Sequence, residues 1–357
     1  MGLLNRRTSA GFTRRLTPYL RPVVQITIAA ALLGLLLWRV DLTEVRDEIE
    51  RASLWWLPMA FALNLLSDWF RAIRWRTLLA PLKRLSVPFL FGTAVLGVSC
   101  NLAFPFRAGE VIRVQVMRRR TGLKASNIVA TILSEKLLDM VAFAGFIIIG
   151  VVLYHEARFL WPLAVAYAAL LAAGSLIARR LADRSSQGEV TFGLPDGRIR
   201  AWIATEARSL GEGLHAFHSP RALLNCSWTS YAAWLCEAGM YYACGQALGL
   251  DISPAVYLLV VVAATIAVSV PFTQAGLGVF EVAITSLLIA FGVPEGQAAA
   301  FAIFSHVMLA LPYFASGPIA ALALKVSFAD IFFLRTGEED RTVPEPPFAT
   351  ANVRTDN

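Results

Sequence analysis

The sequence predicts an all-α polytopic membrane protein, organised as an inverted repeat with about six full spans and two re-entrant, broken-helix hairpins. Three observations carry that expectation. Apolar runs recur along the whole 357-residue chain, and a helix of about 20 such residues crosses a bilayer core. Only 16% of the residues are charged against 57% hydrophobic, with a mean hydropathy of +0.60, too little charge to coat a soluble protein of this size. Lys and Arg gather at the ends of the apolar runs, where they orient a membrane protein. Soluble enzyme, nucleic-acid-binding and fibrous classes are excluded. The net charge of +7 and pI near 9.5 then belong to the inner membrane surface and its anionic lipids.

The apolar segments fall at 22–38, 54–73, 87–104, 127–153, 159–178, 222–248, 255–272, 279–292 and 297–323. Residues 1–21 are basic, with Phe12, Leu16 and Tyr19 spaced for one apolar face of an interfacial helix. The following run lacks a small-x-small cleavage site and is expected to stay as the first span. Residues 39–53 are acid-rich and are placed on the opposite side. Arg71, Arg74, Arg76, Lys83 and Arg84 then mark the cytoplasmic end of the second segment.

Segment 87–104 is basic on both flanks, since Arg107, Arg113, Arg118, Arg119, Arg120 and Lys124 follow it. A full span would carry one basic flank outside, so a hairpin that enters and leaves from the cytoplasm is the simpler reading. Irregular backbone at that depth needs protein or a water-filled cavity around it. From Arg221 to Lys325 there is no Lys or Arg, so 255–292 is read as a second hairpin, opening outward. The halves are then 22–180 and 222–328, joined by a cytoplasmic linker with an amphipathic helix at 181–221 and followed by a disordered tail at 329–357. Both termini are expected in the cytoplasm of a bacterium, with the protein in its inner membrane. Pro105-Phe106-Arg107-Ala108-Gly109 and Pro271-Phe272-Thr273-Gln274-Ala275-Gly276 echo each other at corresponding places, as expected of a transporter-like inverted repeat.

Candidate functional residues are the ionisable groups at membrane depth, which are costly unless paired or facing a cavity. Asn64, Asp68 and Arg71 share one helix face. They read either as the polar wall of a cavity or as an Asp68–Arg71 pair bracing the bundle, with Arg74 and Arg76 as snorkelling anchors. Thr131, Glu135 and Asp139 share another face, with Lys136 beside them. The two carboxylates suit a proton or cation relay, an arginine from elsewhere, or neutralisation of the basic 107–120 stretch. Around Asn101, Pro105 and Gly109 break the helix, and a new helix starts with free amides and a positive dipole end. Arg107 and Arg113 suit a phosphate, with Glu110 holding Arg113, and an anionic lipid headgroup is the natural ligand. The alternative is a structural turn with snorkelling arginines. Gly276, Gly278 and Glu281 follow the second break, while Glu237 and His306 stand alone in apolar runs, His306 as a hydrogen-bonded core residue. The cysteines at 100, 226, 236 and 244 read as small core residues. Glu212, His215 and His218 match no zinc spacing, and no cofactor or metal is expected.

On these residues the chain resembles the lysylphosphatidylglycerol synthase transmembrane-region family, also called flippase-like or UPF0104 proteins. The likeness spans about residues 22–325. It rests on Arg71-Ala-Ile-Arg74-Trp75-Arg76, on Asn101…Pro105-Phe-Arg107-Ala-Gly109-Glu110…Arg113, on Glu135-Lys-Leu-Leu-Asp139 and on Pro271…Gly276-Leu-Gly278-Val-Phe-Glu281. The resemblance implies a lipid-handling membrane protein whose partner is an anionic phospholipid, a polyprenyl-linked lipid or a hopanoid-type lipid. Bifunctional members add a large soluble aminoacyl-transfer domain. This chain ends about thirty residues after its last apolar run, so lysyl transfer is not implied. Transport between leaflets is the favoured reading. A membrane-embedded glycosyl- or aminoacyl-transfer component is the alternative, although no nucleotide-binding loop or DxD pair supports it.

Overall fold

The computed structural model describes residues 27, 30–35, 38, 40–104, 108–154, 158, 161–187, 219–270 and 273–326. Among them every regular element is helical. In chain order these are α1 (Leu42–Glu50), α2 (Leu57–Leu79), α3 (Val87–Ala103), α4 (Ala108–Thr121), α5 (Ala125–Leu153), α6 (Trp161–Gln187), α7 (Pro220–Ala247), α8 (Val256–Ser269), α9 (Val279–Ala290) and α10 (Glu295–Ala323).

The helix starts follow local chemistry. Pro58, Pro88 and Pro220 sit in first turns, where a missing N–H costs nothing. The Ser219 hydroxyl also accepts from the Ala222 amide. Hydroxyls inside the apolar helices are satisfied on the preceding turn, as Thr93 is by Phe89 O and Ser134 by Ala130 O. Helix α6 continues through Ser185–Gln187, residues that the sequence reading assigned to a linker. Nothing before Gly188 breaks the helix, and Leu, Ala and Arg favour it. The amphipathic helix expected near 199–217, the basic segment 1–21 and the tail lie outside the described residues.

Helices α5 and α10, 29 residues each, are long and apolar enough to cross a bilayer. Helix α2 packs along α7, α3 against both α4 and α10, and α9 against α8 and α10. Lipid is as apolar as a protein core, so close packing of small residues holds such helices together. Accordingly Ala232, Ala233, Ala238 and Ala243 of α7 and Ala298, Ala299, Ala300 and Ala302 of α10 are buried. Between them lie the fully buried rings of Tyr241, Tyr257, Phe280 and Phe301. Trp75, Leu78, Leu90 and Met117 form a second cluster among α2, α3 and α4.

The contacts sort the helix ends into two groups. At one end Lys83 donates to Thr121 O at 3.0 Å, Arg120 to Leu324 O, and Asn225 to Thr77 at 3.1 Å. At the other, Ser53 N donates to Ala247 O at 2.7 Å, and Tyr154 meets both Ser253 and Phe291. The α3–α4 hairpin therefore has both its outer ends at the first, basic face. The α8–α9 hairpin has both of its outer ends at the second face, beside the acid-rich α1.

Candidate lipid-headgroup cavity

Close contacts of the described residues at the two helix breaks decide where the polar groups stand. In the first, Gly109 presses its backbone on the Gly97 carbonyl, where a Cβ would collide with that oxygen. The Gly109 amide donates to Asn101 Oδ1 at 2.8 Å, so the break at α3–α4 is tied by its own sequence. In the second turn Ala275 (φ 53), Gly276 (φ 83) and Gly278 (φ 82) are left-handed, and a Cβ on Gly276 would crowd Val268. Glu281 Oε2 accepts from the Gly278 amide at 2.7 Å. His306 Nδ1 lies 2.6 Å from Glu281 Oε1, and its Nε2 lies 3.2 Å from Ala275 O. The ring also stacks on Phe280, with centroids 4.2 Å apart. Helix α10 thus clamps the second turn through one histidine.

The two turns border one cavity of about 930 Å³. Among the sequence candidates, Asp68, Arg71, Asn101, Glu110, Arg113, Glu135 and Asp139 line it, together with Arg74, Lys136, Glu237, His306 and Tyr313. Val98, Leu102, Phe143, Ile266 and Leu309 are among its apolar lining. Gly276, Gly278 and Glu281 do not line it. They shape the turn that brings Thr273 and Ala275 to its wall. Arg107 and Pro271 lie outside the described residues.

Each guanidinium in the cavity is already engaged. Arg113 reaches Glu135 at 3.1 Å and Glu110 at 3.5 Å, and lies 4.1 Å over the Trp75 ring. Arg71 pairs with Glu237, stands 3.6 Å from Asp68, and lies 4.2 Å over Trp234. Arg74 holds Asp139 at 2.5 Å and Ser230 at 2.8 Å, while Trp234 Nε1 also donates to Asp139 at 2.8 Å. Two tryptophans therefore serve as platforms for guanidinium faces, a favourable geometry for a desolvated cation. Tyr313 donates to Asp68 at 2.8 Å, and Asn64 to Leu309 O at 3.3 Å.

The two readings of Asp68–Arg71 merge, because the pair is also cavity wall. Glu135 does neutralise the basic stretch, through Arg113. Arg74 corrects an expectation: it is 2% exposed and inward, not a snorkelling anchor. It follows Arg71 by three residues and so shares its face, a signal that was present in the spacing. Arg76 is exposed. Glu237, a lone acid in a 27-residue apolar run, was visible as an anomaly without a partner. Tyr313 and Trp234 carried no polar pattern and only the packing reveals them. His306 is the hydrogen-bonded core residue expected, and it also borders the cavity. The three buried cysteines and the half-buried Cys236 are free thiols, and no group of metal-binding side chains occurs among the described residues.

Comparisons with known proteins place the chain in a membrane-protein family. Residues 23–317 match the model of the family described as the lysylphosphatidylglycerol synthase TM region. A glycosyltransferase, AglD of Haloferax volcanii, is 25% identical over 88% of this chain and 56% of its own length. The chain thus spans little more than half of that relative. A UPF0104 membrane protein of Methanothermobacter thermautotrophicus is 23% identical over 82% of this chain and 95% of its own. This integral membrane protein belongs to the lysylphosphatidylglycerol synthase transmembrane-region family.

Proposed function

We propose that the protein binds an anionic or isoprenoid-linked lipid by its headgroup and carries it between the leaflets of a bacterial inner membrane. One observation carries this reading: residues of both hairpins border a single cavity whose lining combines charged and apolar side chains, as the two parts of a lipid require. The hairpins open at opposite faces of the bundle, which is the relation that an inverted repeat and alternating access require. Lys83, Arg84, Arg118, Arg119 and Lys124 crowd one face and Asp41, Glu44, Asp47 and Glu48 the other, so the basic face and both termini are assigned to the cytoplasm. Arg74 Nε, Arg113 Nε and the Thr273 hydroxyl are buried without a hydrogen-bond partner among the described residues, so a phosphate oxygen would reach them only if the side chains around them shifted on binding.

The test is transbilayer movement of fluorescent phosphatidylglycerol in proteoliposomes. Arg71→Ala and Arg113→Ala are expected to abolish protein-dependent movement, with exposed Arg118→Ala as the control. Equal loss in all three would reduce the effect to surface attraction, and no loss in the first two would end the reading. The relative named as a glycosyltransferase favours one alternative, a component of lipid-linked glycosyl transfer. Under that alternative the bound lipid would be chemically changed, which mass spectrometry of the recovered lipid would detect.

A further inference from the structure

The charge count of the cavity sets a condition on any anionic ligand. Its lining carries four cations, Arg71, Arg74, Arg113 and Lys136, against five carboxylates, Asp68, Glu110, Glu135, Asp139 and Glu237. No guanidinium is held in reserve. Arg74 is committed to Asp139, deep in the wall, by the pairing described above. Arg71 differs from it in two ways. It serves two carboxylates at once, Glu237 and Asp68, and its side chain is 24% exposed to the cavity. Of the three guanidiniums it is the most open to a headgroup, and taking it sets a carboxylate loose, whereas the exposed Lys136 at the cavity wall can add attraction without releasing one.

A buried carboxylate that loses its cation is strongly penalised in its charged form. Two carboxylates and a phosphate around one guanidinium would leave two uncompensated anions in a low-dielectric site. Taking up a proton removes one of them. The surroundings allow this. Asp68 is faced by Arg71 on its own helix, by Tyr313 of α10 and by Arg113 of α4. Glu237 is faced by Arg71 and Asp68 of α2, by Asp139 of α5, and by Tyr241 one turn along its own helix. Glu237 makes no hydrogen bond besides the one from Arg71 among those described here, whereas Asp68 keeps its bond from Tyr313.

Resting on the headgroup reading, we propose that the Asp68–Arg71–Glu237 cluster couples lipid binding to protons: the anionic headgroup takes the Arg71 guanidinium, and the released Glu237 carboxylate takes one proton. The exchange balances. One ion pair is replaced by another, one O–H bond forms on Glu237, and the proton comes from the water on whichever side the cavity is open. A proton gradient then biases lipid movement through the same residues that hold the lipid.

The experiment measures phosphatidylglycerol binding to the purified full-length protein in detergent micelles between pH 5.5 and 8. The phosphodiester stays singly charged across that range, so any slope belongs to the protein. Affinity is expected to fall as pH rises, by up to about tenfold per pH unit for one proton taken up per lipid. Binding heats measured in two buffers of different ionisation enthalpy should differ by one proton's worth. Glu237→Gln is permanently neutral and should bind with a flat pH profile, and more tightly than wild type at pH 8. Asp68→Asn provides a second neutralised cluster should Glu237→Gln not fold, and it too should flatten the profile. Phosphatidylethanolamine brings its own ammonium and should bind without proton uptake. Equal slopes for the two lipids, a flat wild-type profile with equal heats, or a slope unchanged in both variants would overturn the coupling and leave the headgroup reading in place. No phosphatidylglycerol binding at any pH would overturn both.

Discussion

Arg74 and Arg76 are two residues apart and have opposite fates. Arg74 is buried against Asp139 and Ser230, whereas Arg76 points outward at the basic face. Removing one partner of a buried pair leaves the other charge unpaired, at a cost of about 3–5 kcal/mol. Arg74→Ala is therefore expected to lower the thermal midpoint in detergent steeply, and Arg76→Ala to leave it nearly unchanged. Similar midpoints for the two variants would contradict the inward placement of Arg74. The same side chains brace one another across the cavity. The carboxylates of α2, α5 and α7 hold the guanidiniums in place, and two indole faces cover them.

At the scale of elements, α1 shows how a short polar helix is anchored beside an apolar bundle. The Thr43 hydroxyl and amide both donate to Asp41, at 2.6 and 2.8 Å. The hydroxyl bond foremost, and the amide bond after it, hold the Asp41 carboxyl below its ordinary value of 3.8. Val45 of α1 is buried against Ala299 and Ala300 of α10. A lowered folded value means that the cap stabilises fully above the ordinary value and is lost as pH falls through the lower one. Corrected for the intrinsic rate at each pH, the protection of the α1 amides should therefore drop in acid below that window, and Asp41→Ala should lower it at neutral pH as well. Protection that ignores both the pH and the substitution would show that the cap contributes nothing.

For the whole molecule, the segregation of charge between two faces gives a direct test of orientation. In a background lacking Cys100, Cys226, Cys236 and Cys244, a membrane-impermeant maleimide added outside intact cells should label Glu48→Cys and spare Arg119→Cys. Labelling of Arg119→Cys from outside would reverse the orientation or turn the first hairpin into spans. The two hairpins and the α2–α7 pair between them explain how residues from positions 68 to 313 come to share one cavity.

Much of this was legible in the sequence, because hydropathy and charge act over single helices. Apolar runs and their basic ends located most of the described helices, although α2 and α6 run six and nine residues past the apolar segments that announce them. They also picked out Asp68, Arg71, Asn101, Glu110, Arg113, Glu135 and Asp139, since an ionisable group in an apolar run is an anomaly wherever it occurs. What the sequence could not show was pairing. Arg71 finds Glu237 across 166 positions and Arg74 finds Asp139 across 65, and no local period encodes such partners. Glu281 is an equally anomalous acid in an apolar run, yet it bonds Gly278 and His306, because a sharply left-handed turn leaves a buried amide that must be satisfied. The tertiary structure alone decided that every arginine in the cavity already holds a carboxylate. Charge balance in a low-dielectric interior is a property of the assembled bundle, and of no single helix.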